Sequence, residues 1–401
     1  MRNLKWELQK SPINIWLLLL ILIGMLLVNG FVATKKIHRN TAAITDDYRR
    51  GLNNVYSIVE GSITLEKMNW IISEHNRLDN IIQKGQFSTE KDEENTYTGY
   101  VFSDNALFEQ IYEETKYAFN YEIEAQEIVS VAMENVVYYQ NRSNESKAAY
   151  YSAMADAFKN RGISDFYRTE GWMSYLEYEF SNLMVLLAIM IELSTTFSLE
   201  WELGTKSIMC VISGGVHKCR RDKLLFTMLF VFLITSCFSI QDYLIFADQY
   251  SLQGLNNPLY AIPEMRETPL NISIGLFLLL NFLAKLLGMW VFSLQLLLLS
   301  MLMKCNLYAF SSSVMVLAIH ILLNAMGSDI SVLSLFNSVQ LCSEFKGIAI
   351  ANYFVPYIFS PIVIQFIIAC CCWLLLCIVD RDKTLHIRKD TCHGSAYSMP
   401  N

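Results

Sequence analysis

Long apolar runs separated by charged stretches set the plan of this chain. The first, Ile13 to Ala33, is apolar except for Asn14, Asn29 and two glycines. It is long enough to supply the roughly 20 helical residues that cross a bilayer core of about 30 Å. Arg2, Lys5 and Lys10 precede it and no small-x-small cleavage site follows, so it reads as an uncleaved signal anchor within residues 1–34. Apolar runs return at Asn182 to Leu193, Leu224 to Phe246, Ile272 to Met303, Ser312 to Met326 and Tyr353 to Val379. The second reaches spanning length only when Tyr178 to Phe197 forms one helix that includes Glu192. Six membrane helices are expected, the later five at 178–197, 224–246, 272–303, 312–326 and 353–379.

Residues 35–177 have a different texture. Val55, Ile58, Val59, Ile63 and Met68 begin one helical stripe, and Leu107, Ile111, Tyr121, Ala125, Ile128, Val129, Ala132 and Val136 continue a longer one at three- and four-residue steps. Gly85 to Gly99 between them is polar and acidic and reads as a loop. The pattern predicts a helical hairpin or small bundle outside the membrane, entered and left through the flanking spans. Its face of Tyr and Glu suits a ligand surface or an ordinary solvated one. The expected fold class is therefore all-α: about six transmembrane helices with a helical extracytoplasmic domain between the first two.

Composition agrees. Of 401 residues 53% are hydrophobic and only 17% charged, with mean hydropathy +0.30, against roughly 25% charged in a soluble domain. The net charge of -7 conceals an asymmetry, acids after the first run and bases in short loops, which gives no footprint for nucleic acid. None of the ten cysteines lies between Lys35 and Glu179, so a disulfide framework is not expected. Basic residues set the orientation. Lys206, Lys218, Arg220, Arg221 and Lys223 follow the second span, Lys304 follows the fourth, and Arg381, Lys383, Arg388 and Lys389 lie in the tail at 380–401. The positive-inside rule puts these segments and both termini in the cytoplasm of a cell membrane. On the outer side, Val332 to Leu341 is apolar enough for a re-entrant piece, with a surface loop as the alternative.

The loop at 198–223 stands out because a turn between spans needs only a few residues. It holds Glu200, Glu202, Gly204 and Thr205 in FSLEWELGT, then Ile208 and Met209, a turn at Ser213 to Gly215, and Lys223 entering the next span. This stretch resembles the cytoplasmic signature of ABC-2 type permeases, the membrane subunits of ATP-binding cassette exporters. Phe166 to Phe180 is similar to the approach to the second span in members with a large outer domain. Where the family often carries an Arg soon after the turn, this chain has Val216 and His217, with basic charge displaced to Lys218, Arg220 and Arg221. The resemblance implies that Glu200, Glu202, Gly204, Thr205 and Lys223 couple the permease to a cytosolic ATPase. A short amphipathic helix with Ile208, Met209, Val211 and Ile212 on its apolar side would press into that partner. It also implies a second permease copy or paralogue, surrounding lipids, and a peptide or lipid-like amphiphile as cargo for export or extraction.

LGTKS at Leu203 to Ser207 lacks the first glycine and the strand of a phosphate-binding P-loop, so ATP and Mg²⁺ are expected on the partner chain and no cofactor on this one. Six histidines show no zinc spacing, no G-x-S-x-G occurs, and no catalytic residue or metal ligand is expected. Polar residues inside spans mark a possible translocation path: Glu192, Asn281 and Lys285 one turn apart, Gln295, His320 and Asn324. The same residues can instead tie helices together.

Overall fold

The computed structural model describes residues 15–41, 46–85, 96–205, 215–350 and 353–394. Six helices are long and apolar enough to cross a membrane: Trp16–Arg39, Glu170–Glu202, His217–Tyr250, Ile274–Leu302, Asn306–Ala325 and Phe359–Val379. The protein is a multi-pass membrane protein. Its first helix, α1 (Ile15–Thr41), exposes Leu20, Ile23, Leu27 and Phe31 outward and buries Leu18, Asn29, Ala33 and Ile37 inward. That division is the one a lipid-facing helix makes, apolar on both faces with its polar group kept inside.

A helical domain stands between the first and second spans. It comprises α2 (Asp46–Val59), α3 (Leu65–Gln83), α4 (Val101–Gln140) and α5 (Glu145–Phe158). Thr64 caps α3 by accepting from the Lys67 N–H at 3.3 Å, and Asn144 caps α5 by accepting from the Lys147 N–H at 3.1 Å. The 40-residue α4 is about 60 Å long. Leu107, Phe108 and Ile111 in its first half pack on Val55, Ile71 and Leu78 of α2 and α3. Tyr121 and Ala125 further along pack on Phe158 of α5. The Gly85 to Gly99 loop expectation falls largely on residues 86–95, outside the described residues.

Two small sheets depart from the all-helical expectation, and the fold is mostly helical. β1 (Gly61–Ser62) pairs antiparallel with β2 (Asp165–Phe166), Gly61 opposite Phe166, and closes the foot of the domain. β3 (Gly347–Ile350) pairs with β4 (Tyr353–Pro356), Gly347 opposite Pro356, and packs on α5. Tyr353 to Pro356 thus belongs to a hairpin on the domain rather than to the last span, because alternate residues such as Phe354 have aromatic partners there, Phe345 at 4.8 Å and Tyr150 at 5.6 Å.

The domain is fastened to the loops between the third and fourth spans and the fifth and sixth. Arg161, 3% exposed, is the main clamp. Its Nη2 donates to the Thr268 carbonyl at 2.6 Å, its Nε to Asn271 Oδ1 at 2.8 Å, and its guanidinium lies 3.9 Å over the Phe158 ring. Tyr117, Tyr121 and Tyr150 hydroxyls donate to the carbonyls of Tyr260, Arg266 and Phe345 at 2.7, 2.8 and 2.7 Å.

The second span runs through α6 (Glu170–Leu176), α7 (Phe180–Leu193) and α8 (Ser198–Glu202), the third is α9 (Gly215–Tyr250), and the fourth is α10 (Ile274–Leu302). Val185, Leu186 and Ile189 of α7, Ile234 and Phe238 of α9 and Met289 and Phe292 of α10 form the membrane core. The fifth span is α11 (Asn306–Ala325). After it a single 3-10 turn, Val332–Leu335, and α12 (Ser338–Cys342) lead through the hairpin to α13 (Phe359–Gly394). Val332, Leu335 and Phe336 are buried in the membrane core, so this segment enters the bundle instead of lying on its surface. Gly288 receives it, since a Cβ there would stand 2.9 Å from Phe336 Cε1 and 3.2 Å from the Val332 carbonyl oxygen. Gly288 lies fourteen residues into α10, about 21 Å along the helix. Irregular backbone at that depth is tolerated because protein covers it.

Candidate functional site

The end of the second span, from Phe197 through α8 to the tip that follows it, is riveted to three other helices. Glu200 on α8 meets Lys223 on α9 at 2.7 Å, with side chains 9% and 3% exposed. Lys223 also donates to the Thr196 carbonyl and lies 4.3 Å over the Phe197 ring. Cys219, four residues before Lys223 and so on the same face of α9, donates to Glu200 Oε1 at 3.2 Å. Glu202 accepts from the Asn306 backbone N–H at 2.8 Å and from Asn306 Nδ2 at 2.6 Å. Its carboxylate therefore sits at the N-terminus of α11, where free N–H groups and the helix dipole favour an anion. Ser300 Oγ on α10 accepts from the Phe197 and Ser198 N–H groups at 2.8 and 3.1 Å.

What remains on the surface is the tip. Leu203 is 66% exposed, Gly204 adopts φ +67° with no neighbour within 4 Å of an added Cβ, and Thr205 is exposed with its hydroxyl donating to the Glu200 carbonyl at 3.3 Å. Trp201 beside them receives the Lys304 ammonium at 5.6 Å from its ring. The amphipathic helix expected over Ile208 to Ile212, with Lys206 and the turn at Ser213 and Gly214, lies outside the described residues. Lys218 and Arg221 are exposed on the first turns of α9.

The polar residues expected inside the spans fall into separate groups within this chain. His320 and Gln295 are structural neighbours: His320 Nε2 is 2.7 Å from Gln295 Oε1, while Nδ1 accepts from the Val332 N–H at 3.3 Å. Accepting at Nδ1 assigns the proton to Nε2, which donates to Gln295. The Ser331 hydroxyl adds a bond to the His320 carbonyl at 2.7 Å. This group holds the inserted segment to the bundle. Asn324 is exposed at the end of α11, where its carbonyl accepts from the Gly327 N–H at 2.9 Å. Glu192 is buried near the far end of α7, 2% exposed. Asn281 and Lys285 stand apart from these, on α10 facing the second and third spans.

There Lys285, one turn after Asn281, joins Asp242 and Glu179. Asn29 donates to Asp242 Oδ1 at 2.7 Å and to Gln241 Oε1 at 3.0 Å, and accepts from the Tyr178 hydroxyl at 2.9 Å. Ser181 also hydrogen-bonds Asp242, and Lys285 lies within electrostatic reach of both Asp242 and Glu179. Asn281 Oδ1 and Asn182 Nδ2 are buried without a hydrogen-bond partner among the described residues. The result is a polar cluster drawn from the first four spans just beneath the domain. Its signal in the sequence was Asn29 interrupting the first apolar run and Gln241–Asp242 interrupting the third.

A second polar anchor holds the inserted segment from the other side. Asp329 accepts from the Tyr357 hydroxyl at 2.5 Å and from Ser360 at 3.2 Å, and Gln365 donates to the Ile330 carbonyl at 2.9 Å. The hydrogen bond to Asp329, aided by burial, pushes the Tyr357 hydroxyl up to about 12. In the domain, burial raises Glu114 above its ordinary value, although hydrogen bonds from Gln110 at 2.9 Å and Tyr56 at 2.7 Å oppose the shift. Among the described residues no group of His, Cys, Asp or Glu is arranged to hold a metal ion.

No family model, curated protein or solved structure matches this chain.

Proposed function

We propose that this protein is the permease subunit of an ABC-2 type ATP-binding cassette transporter, which exports or extracts a peptide or lipid-like amphiphile by alternating access. The observation that carries this reading is the riveting of the loop after the second span. Glu200 locks to Lys223 at the base of the third span, Glu202 to the start of the fifth, and Ser300 of the fourth to the Phe197–Ser198 backbone. A push on the exposed Leu203–Thr205 tip would therefore reach four spans at once instead of being absorbed in a slack connection. By the positive-inside rule the basic residues of this loop and of the tail favour a cytoplasmic side, where an ATPase carrying ATP and Mg²⁺ would dock. The polar cluster around Asn29, Asp242 and Lys285 supplies a charged station for the cargo, and a second permease copy or paralogue would complete the path.

The test is reconstitution with a cytosolic ATP-binding cassette ATPase that co-purifies with this chain. Leu203→Glu and Gly204→Trp alter the tip without touching its rivets, and both should abolish permease-dependent stimulation of ATP hydrolysis while the protein still purifies, Leu203→Glu melting normally and Gly204→Trp, which forces a side chain to φ +67°, melting somewhat lower. Full stimulation with both changes would sink the reading.

One observation favours a second reading, a mechanotransmitting or sensory subunit whose domain binds a ligand without cargo passage. The Arg161 clamp and three tyrosine hydroxyls join the domain to loops that end four of the six spans, so movement of the spans would be delivered to the domain. Measured transfer of a labelled amphiphile across or out of the bilayer separates the two.

A further inference from the structure

A groove of about 680 Å³ opens on the domain between α5, the end of α4 and the β3–β4 hairpin. Its floor is Ala148, Ala149, Ser152 and Ala153, and small side chains there leave a cleft rather than a ridge. One wall is Val136 of α4, partly aliphatic; the other is aromatic, Tyr353 with 78% of its surface exposed beside Phe354. An exposed tyrosine of this degree beside a cleft is the amphipathic, low-entropy contact that recognition surfaces use.

Charge selects the occupant. Glu145 and Asp156 are the charged lining residues, and neither forms an ion pair among the described residues. They are eleven residues apart on α5, three turns and so on one face, about 16 Å apart along the helix. Of the nearby bases, Lys147 lies 5.0 Å over the Tyr139 ring and Arg142 4.2 Å over the Tyr138 ring, while Lys159, one turn after Asp156, is exposed and is not ion-paired with it among the described residues. The helix α4 that backs the groove carries eight acids and one base, Lys116. A second copy of this chain is a poor occupant. Pairing α5 with itself antiparallel sets Glu145 against Asp156, and parallel pairing sets each acid against its own kind, so either arrangement juxtaposes like charges.

We propose that this groove binds a cationic amphipathic peptide segment, with an apolar side chain on the Ala–Ser floor against Tyr353 and two cations on Glu145 and Asp156. A segment of about five extended residues, or three helical turns, spans the two carboxylates. The site needs no ATPase and stands apart from the transport reading, so either can fail without the other.

The test uses the full chain in phosphatidylcholine nanodiscs, which lack net charge, and a short fluorescent peptide of alternating Lys and Leu, with binding read by anisotropy. Its counterpart with Glu replacing Lys should not bind. The double variant Glu145→Lys/Asp156→Lys should weaken binding of the Lys peptide by about tenfold or more, and Ser152→Trp, which fills the floor, should do the same. Glu66→Lys on α3 should leave it unchanged. Unaltered binding in both groove variants overturns the proposal, as does equal weakening by Glu66→Lys, which would mean attraction to the acidic surface at large. If Ser152→Trp instead converts a dimer to a monomer and leaves peptide binding intact, the groove is a subunit interface and the proposal also falls. All four residues are on the domain surface, and unchanged melting temperatures confirm that the variants fold.

Discussion

At the scale of single residues, burial decides what Glu200 does. The sequence marks Glu200 and Glu202 as acids of a docking loop, but a carboxylate 2.7 Å from a buried ammonium is engaged before any partner arrives. Glu200→Ala removes half of that pair and leaves Lys223 uncompensated, which costs about 3–5 kcal/mol for a buried ion. The expected result is a marked fall in melting temperature in detergent, largely restored in Glu200→Ala/Lys223→Met. If the single variant melts like the parent, the pair is not holding the loop. Glu114 offers a second residue-level test through pH. Burial raises its folded value above the ordinary 4.5, so the folded state holds the proton more tightly than the unfolded chain. Stability is then fully present below about pH 4.5 and declines as pH rises toward the raised folded value, staying level beyond it. Glu114→Gln should flatten that slope and raise the melting temperature at neutral pH. The sequence shows that Lys223 and Glu200 exist near one loop. It does not show that they meet, because the two residues lie on different helices whose packing is tertiary.

At the scale of elements, the spans were legible because twenty apolar residues have few other uses, and the domain's long stripe on α4 was legible because its period is 3.6. Their ends were less so. The helix of the third span includes charged positions before the first apolar residue, since Lys223, Cys219 and their partners carry it through them. The apolarity of Val332 to Leu341 left an inserted segment and a surface loop equally open, and it is Gly288 that decides, a residue forty-four positions upstream with no local sign of its role. Gly288→Ala should push the new Cβ onto Phe336 and cost about 1–3 kcal/mol. Cys342, buried next to this segment and held by burial at about 12, should then become more reactive toward a maleimide, as read by mass spectrometry of its peptide. Phe336→Leu in the same chain should recover part of the loss, because the two side chains share one space. Additive destabilisation would mean that the glycine is not there for the insertion.

At the scale of the whole molecule, the domain is not a tethered accessory but a lid fastened at several points. Nothing local in NRGIS around Arg161 distinguishes it from a solvated arginine, and its partners Thr268 and Asn271 are more than a hundred residues away. Sequence periodicity finds elements that bury themselves locally; it does not find a clamp whose two halves are made by distant loops. The clamp can be tested directly. Arg161 is buried with its guanidinium shared among Thr268, Asn271, Arg266 and Tyr121, so Arg161→Ala leaves several acceptors unmet and costs about 1–3 kcal/mol for such groups. Arg161→Lys should not rescue, because a point ammonium cannot reach partners arranged around a planar fork. Hydrogen exchange is the discriminating measurement. Amides in 259–271 and at the end of α5 should exchange faster in both variants, while those of α10 and the membrane core keep their protection. Faster exchange spread evenly over domain and spans would show that Arg161 supports the fold generally; the local pattern would show a joint through which spans and domain move together.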